Sequence, residues 1–511
     1  MGVMDKVFDL FAGNRHWGVH PDDHKRPAAD VPLRTLPLPE KLYMPLQQHV
    51  GGAARPIVLV GSQVLKGQLI AESQGNVSAP IHAPTSGTVI GIGEVTAPHP
   101  SGLPFAAITI APDGDDKLFE IDLAADPFAL DPAEITKRVA AAGVVGLGGA
   151  TFPSAVKFAL GKRLQVETLI VNGGECEPYL SCDDRVMRDF APGVVDGVRL
   201  IMHAIGARDA LVGIENNKPE AIAAMKIAAE AFPEVKIRPV PARYPMGSDK
   251  QLIQTLTGRQ VPADCRAAEV GVLVHNVNTA YAVHRAIRTG EPLVTRIVTV
   301  NGGAVASPGN ILAPIGTLVG DLVDFAGLNS TPARYVMGGP MMGAVLPHTS
   351  VPIVKGTSGI LALSEAEAAT PEPGPCIRCG NCTRACPMGL LPLEMAARVR
   401  VDDLDGASRF GLADCIACGC CAYICPSHIP LVQYFSYAKG ELWSRERTKL
   451  RNDAAKRLAQ ARVERQERDA KEKAEAAARR KAERAAQKAA AAQLANEAAK
   501  AAESTETETT E

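Results

Sequence analysis

Residues Cys376–Pro387 read C-I-R-C-G-N-C-T-R-A-C-P, and Cys415–Pro426 read C-I-A-C-G-C-C-A-Y-I-C-P. The pattern C-x2-C-x2-C-x3-C-P therefore occurs twice. A cubane iron–sulfur cluster needs four thiolates converging from different directions. A tight C-x2-C-x2-C loop supplies only three, so the fourth must come from elsewhere in the chain. Two other chemistries use closely spaced cysteines: structural zinc, which takes C-x2-C pairs across a long gap, and a disulfide framework. Neither calls for two triplets each followed by x3-C-P. The spacing points to two [4Fe–4S] clusters.

In the two-cluster bacterial ferredoxin pattern, the last Cys of each run crosses to the other cluster. One cluster is accordingly expected on Cys376, Cys379, Cys382 and Cys425, and the other on Cys415, Cys418, Cys421 and Cys386. Cys420 is a ninth thiol in the second run and reads as a bystander, because Cys421 keeps the register. The chain has 12 cysteines, which leaves Cys176, Cys182 and Cys265 without a role. Labile clusters beside unpaired thiols imply a reducing compartment.

A chain of 511 residues has room for three or four domains to carry and feed such clusters. No stretch of 18 apolar residues occurs, so nothing is expected to span a membrane and any membrane association would be peripheral. The stripe Val3, Val7, Leu10, Phe11 is interrupted by Asp5 and Asp9 and does not read as a secretory signal. The formal charge of −2 hides a basic stretch over 445–500 and an acidic end. Composition gives no reason to expect nucleic acid.

Residues 1–29 read as an N-terminal segment. Residues 30–131 carry short apolar runs punctuated by Gly and Pro, and are expected to be all-β. There V-G-S-Q-V-L-K-G-Q-L-I followed by H-A-P-T-S-G-T-V resembles the biotinyl/lipoyl-type barrel-sandwich hybrid. His82–Gly87 lacks the lysine that such domains modify, so a structural role is expected. His16, His20, His24, His49 and His82 are too irregularly spaced to suggest a metal.

From 132 to 293 helices and strands alternate, as in a Rossmann-like α/β domain. V-V-G-L-G-G-A-T-F-P-S-A-V-K-F at 144–158 makes a Gly-rich turn into a helix with Pro153 near its start and Lys157 one turn inside. Such a turn lets backbone approach a ligand and can present N–H groups to phosphate, although it matches neither G-x-G-x-x-G nor the P-loop. The strand V-E-T-L-I-V-N at 166–172 runs into G-G-E-C-E-P, placing Asn172, Glu175 and Glu177 at the carboxyl edge of a sheet, where α/β ligands bind.

V-G-L-G-G-A-T-F-P-S-A-V-K, N-G-G-E-C-E-P, Y-P-M-G-S-D-K-Q-L and H-N-V-N-T occur in the order and approximate spacing of the FMN- and NADH-binding subunit of respiratory complex I. The resemblance implies FMN contacts from Gly146, Gly148, Gly149, Lys157, Asn172, Asn276 and Thr279, and an NADH side formed by Phe152, Glu175, Glu177 and Asp249. Phe152 and Glu175 would flank the hydride-transfer position. Gly174, His275 and Ser248-Asp249 depart from the residues usual in that family. Residues 294–350 resemble the soluble-ligand-binding β-grasp (SLBB) module, with a mere prop for the site as the plain reading. Residues 365–440 hold the helical two-cluster domain, and 445–511 an Ala-rich charged tail. The tail's i,i+4 Glu–Arg and Glu–Lys pairs favour a solvated helix over a lipid- or partner-docking arm.

Complex I's subunit has neither a barrel-sandwich nor two ferredoxin runs. Together, these parts resemble the C subunit of the Rnf ion-translocating electron-transport complex, over residues 15–440. That resemblance implies a peripheral subunit on the cytoplasmic side of the bacterial inner membrane, beside integral-membrane and iron–sulfur partners, that moves electrons between NADH and ferredoxin. NADH yields two electrons as hydride, a cluster carries one, and FMN can deal in both. Two rivals share the motifs: a corrinoid reductase of microcompartments, and a flavin-free wiring scaffold.

Overall fold

The computed structural model describes residues 17–121 and 123–506, so His16 and the stripe Val3–Phe11 lie outside the described residues. The chain divides into two units, residues 1–436 and 437–511.

Residues 42–112 form two antiparallel sheets. One has strand order Leu42–Pro45, Pro104–Pro112, Gly87–Thr96, Gln63–Val64, and the other Arg55–Pro56, Leu69–Glu72, Ile81–His82. Met44, Ile70, Ile81, Val89, Ile108 and Ile110 fill the space between them, as the alternation of a half-buried sandwich requires. In the hairpin that would carry a lipoyl-type lysine, His82, Thr85 and Ser86 are buried, so it is packed and not free to swing. Burial, assisted by the charge on Lys355, pushes His82 down to about 3 and His49 down to about 4. Both imidazoles are neutral packing groups at neutral pH.

The next layer is a wholly parallel sheet in the order Val235–Val240, Asp209–Glu215, Thr168–Gly173, Val272–Asn276. T-L-I-V-N, A-L-V-G-I and V-L-V-H-N are near-continuous apolar runs, as expected of strands covered by helices on both faces. Asn172 and Asn276 are register partners near the carboxyl ends of two neighbouring strands, the second of them at the edge of the sheet. Helix Ala191–Ile205 has proline in its first turn and ends on Gly206 in the left-handed conformation (φ 77°). It crosses helix Val277–Arg288 so closely that a Cβ at Gly197 would lie 1.8 Å from the Ala280 carbonyl oxygen.

A six-stranded mixed sheet follows, in the order Arg34–Thr35, Gly309–Pro314, Thr295–Asn301, Gly359–Leu363, Arg334–Met337, Ala344–Val345. A strand from before the hybrid sheets thus pairs into the β-grasp region, and so does one beyond residue 350.

The cysteine region is helical: short helices Asn381–Ala385, Pro392–Val399, Leu404–Arg409 and Cys420–Tyr423 pack around Met395, Leu404, Leu412 and Phe435. Its two runs repeat one backbone course. Arg378 and Ala417 adopt φ 56° and 53°, Gly380 and Gly419 adopt φ 76° and 86°, and Gly389 and His428 adopt φ 66° and 49°. The helix Leu431–Glu506 carries the tail, whose described side chains beyond Arg445 are almost all exposed, in agreement with a solvated helix.

Gly197→Ala should lower stability by about 2–3 kcal/mol through overpacking at the helix crossing. Urea unfolding should record this as a lower midpoint at unchanged slope.

Candidate functional site

The glycine turn is pinned from two sides. Val145 bridges Pro153 across it, the Gly146 N–H donates to Phe152 O (2.9 Å), and the Leu147 N–H donates to Thr279 Oγ1 (2.9 Å). The buried Thr279 hydroxyl therefore holds the turn itself. Gly148 packs against Asn276, where an added Cβ would sit 3.3 Å from the side chain, and Gly149 (φ 105°) faces open space. Gly148, Gly149 and Ala150 are exposed. They leave bare backbone at the entry to helix Ser154–Arg163, as a phosphate-bearing ligand needs.

Lys157 Nζ donates to Val274 O (3.3 Å), in the middle of strand Val272–Asn276. Its charge is felt by two groups. Burial drives His275 well below the ordinary imidazole value and Lys157 adds to this, while burial raises the Asp249 carboxyl and Lys157 opposes the rise. Asp249 nevertheless keeps an exposed surface. Lys157 and Asp249 thus lie close enough for their charges to interact, one half-buried and the other exposed. Ser154 Oγ and His275 Nε2 are buried without a hydrogen-bond partner among the described residues. The open glycine backbone, the cation and the unpaired polar atoms fit a flavin mononucleotide.

The remaining expected contacts are engaged inside the protein. Asn172 accepts from the Gly174 N–H (2.9 Å) and donates to Gly247 O (2.8 Å). Asn276 caps its helix by accepting from the Asn278 N–H (2.8 Å) and donates to Asp183 Oδ2 (2.6 Å). Glu175, held at φ 46°, accepts from the N–H groups of Asp183 (2.6 Å) and Asp184 (3.3 Å) at the start of helix Cys182–Asp189. Its carboxyl is raised by burial, against the pull of Lys25. Glu177 accepts from the Met341 N–H (3.0 Å), and burial raises it to about 7. Phe152 is half-buried at the end of the glycine turn.

Sequence reading missed what holds this acidic loop. The buried Lys25 ammonium donates to the carbonyls of Glu175 (2.9 Å), Glu177 (2.8 Å) and Leu180 (2.6 Å). Lys218, also buried, donates to Gly174 O (2.9 Å) and pairs with Glu215 (2.7 Å). Lys25 lies 150 residues before Glu175 in the chain and has no local signature. Asp183 could have been flagged from the acidic pair in S-C-D-D-R.

One cavity is lined by Cys386, Cys415, Cys418 and Cys421 together, the four sulfurs expected to share a cluster, amid Met388, Leu390, Met395 and Phe435. Cys420 also borders it, but the Cys420 thiol is directed at Tyr244 O (3.9 Å). Of the other expected set, Cys376 and Cys379 are exposed, and Cys382 and Cys425 are half-buried. The N–H groups of Arg378, Ala417 and Leu390 donate to the sulfurs of Cys376, Cys415 and Cys386, each at 3.4 Å. Thiols that already accept N–H bonds fit iron–sulfur clusters, whose potentials such bonds tune.

Lys25→Met should destabilise the protein by about 3 kcal/mol or more, because three carbonyls lose their donor. Lys25→Arg should not restore it, since a planar guanidinium cannot converge on the same point. Glu177 titrates near 7 in the folded state against an ordinary value of 4.5. The folded protein therefore binds this proton more tightly, and the stability so contributed is full below pH 4.5 and lost as pH rises through 7. Glu177→Gln should flatten that fall in unfolding midpoints measured across the same window.

Residues 14–115 match the RnfC barrel sandwich hybrid domain, 139–285 the Nuo51 FMN-binding domain, 297–345 the SLBB domain and 375–429 the 4Fe-4S dicluster domain. The chain is 49% identical over 434 residues to the C subunit of the ion-translocating oxidoreductase complex of Rhodobacter capsulatus, covering 84% of each chain. It is 44% identical over 472 residues to its counterpart in Serratia proteamaculans, covering 91% of this chain and 67% of that one. It is 45% identical over 448 residues to that of Pseudomonas aeruginosa, covering 87% and 58%. With its hybrid, FMN-binding, SLBB and dicluster domains in this order, the chain belongs to the family of C subunits of ion-translocating oxidoreductase complexes.

Proposed function

We propose that this subunit takes electrons from NADH at the cleft of Lys157 and Asp249 and passes them singly through two clusters toward ferredoxin, or runs the same path in reverse. When bound, FMN exchanges two electrons as hydride and releases them one at a time, and each [4Fe–4S] cluster carries one. The protein's part is positioning. The glycine backbone at 146–149 and Lys157 hold the flavin phosphate. Asn172, Asn276 and Thr279 fix the strand ends and the turn around the ring. Phe152, the loop bearing Glu175 and Glu177, and Asp249 would bound the nicotinamide position.

A single loop carries this reading. Tyr244–Asp249 reaches from the Cys418 carbonyl, which the Tyr244 hydroxyl contacts, to the carboxylate in the cleft. Five steps of the chain span at most about 19 Å. The cluster on Cys386, Cys415, Cys418 and Cys421 is then the flavin-side one. The cluster on Cys376, Cys379, Cys382 and Cys425, with its two exposed cysteines, faces the electron partner.

No helix among the described residues is long and apolar enough to cross a membrane. The subunit is accordingly read as peripheral, held on the cytoplasmic face by the complex's other subunits. The family assignment favours this role over a corrinoid reductase.

Anaerobic NADH should bleach the flavin of the purified protein and then bring up two cluster signals in electron paramagnetic resonance. Cys418→Ser and Cys376→Ser should each remove a different one of them. Purified protein without a flavin spectrum would leave the flavin-free wiring scaffold as the better description, and a flavin that NADH does not bleach would sink the reading of NADH as donor. Lys157→Gln should weaken FMN binding about 10- to 100-fold, as loss of a charge-assisted hydrogen bond predicts, measured by flavin fluorescence on refilling the apoprotein.

A further inference from the structure

Tyr244 is 2% exposed and stands at the seam between the flavin-side loops and the cluster-bearing loop. Its hydroxyl donates to Cys418 O (2.6 Å). Its main chain is fixed in both directions by Val19, with Val19 N–H to Tyr244 O at 2.9 Å and Tyr244 N–H to Val19 O at 3.0 Å. Around it pack Val19, Ala385, Cys418 and Cys420, with Cys176, Met341 and Ile416 at the margin. Buried among these groups, the phenol keeps its hydroxyl on that carbonyl as a donor.

The peptide it grips joins Cys418 to Gly419, and both residues line the four-cysteine cavity, whereas Tyr244 does not. In a trans peptide the carbonyl oxygen and the N–H point opposite ways. A carbonyl drawn toward Tyr244, outside the cavity, turns the Gly419 N–H to the cavity side. A donor on the carbonyl also polarises that N–H and strengthens whatever bond it makes. Hydrogen bonds to cluster sulfur are among the determinants of a cluster's potential.

We propose that the Tyr244 hydroxyl is a positioning group that orients and polarises the Cys418–Gly419 peptide, and so raises the potential of the cluster held by Cys386, Cys415, Cys418 and Cys421 relative to the other. This rests on the cluster assignment above. Sequence offers no hint of it, because 174 residues separate donor and acceptor.

The test is a dithionite titration of the holoprotein followed by electron paramagnetic resonance, comparing wild type with Tyr244→Phe, which keeps the ring and loses only the oxygen. The expected result is a lower potential for one cluster, with the equilibrium share of electrons on it reduced about three- to tenfold, tenfold being about 59 mV for one electron. The other cluster and the flavin content should be unchanged. The signal that moves should be the one that Cys418→Ser abolishes.

Ser408→Ala is the control: it removes an uncharged bond elsewhere in the cysteine region, Ser408 Oγ to Leu404 O (3.0 Å), whose partners do not line the cavity, and should leave both potentials in place. Unchanged potentials in Tyr244→Phe, an equal shift in Ser408→Ala, or movement of the other cluster's signal would each overturn the proposal. So would parallel loss of both clusters and flavin, which marks a merely structural residue. Dithionite needs no nucleotide, so a failure of NADH to bleach the flavin would sink the reading of the cleft and leave this result standing by itself.

Discussion

Three backbone carbonyls of the loop 175–180 converge on one ammonium, that of Lys25. Without that cation the loop would bury acceptors with no donor, and a buried orphan acceptor costs about 1–3 kcal/mol. The constraint explains how Glu175 is kept at φ 46° and how the chain can fold back between the central strand and helix Cys182–Asp189. It also ties the segment around residue 25 to the flavin-side loop. The same segment pairs with Tyr244 through Val19 and with Ala385 through Gly18 (2.9 Å), so one strap touches the cleft, the seam and the cluster region.

The electrostatics around the cleft follow from having gathered so many ionisable groups there. Glu175, Asp183, Asp184 and Glu215 are all raised by burial, and Lys25, Lys218 and Arg188 answer them. Removing carboxylates from water is unfavourable unless they are paired and hydrogen-bonded. Each of these acids has an N–H, amide or cationic partner within 3.3 Å. The outcome is a satisfied wall of paired groups, beside which Lys157, Asp249 and the exposed glycine backbone are the groups proposed to face a ligand. A site that must hold two planar rings in register needs that division between fixed wall and open floor.

Across the seam the contacts are few and specific. A phenol grips a cysteinyl carbonyl, a glutamine grips a prolyl carbonyl, and the Glu177 carboxylate accepts from Met341 of the β-grasp region. The β-grasp module is thus more than a remote prop, because its 338–343 loop supplies the N–H that holds one of the two acids expected on the nicotinamide side. Electron transfer tolerates protein in between but not variable distance, and these bonds fix the distance.

The cysteine spacing alone gave the clusters' number, type and expected ligand sets, since eight thiols at those intervals have almost no other use. Local pattern likewise carried the order of domains, the parallel sheet from its unbroken apolar strands, the glycine turn, and the exposed helical tail. These are properties of short windows, in which periodicity and turn chemistry are written directly. Tertiary structure decided how the polar groups are used. Thr279, Asn172, Asn276 and Glu175, read from motifs as ligand contacts, turn out to have their side chains committed to the turn, the strand ends and a helix start. Lys25, Lys218 and Tyr244 matter because chain segments far apart in sequence arrive at one place. A lysine or tyrosine looks the same in sequence whether it is solvated or gripping a carbonyl 150 residues away, so only the packed fold tells the two apart.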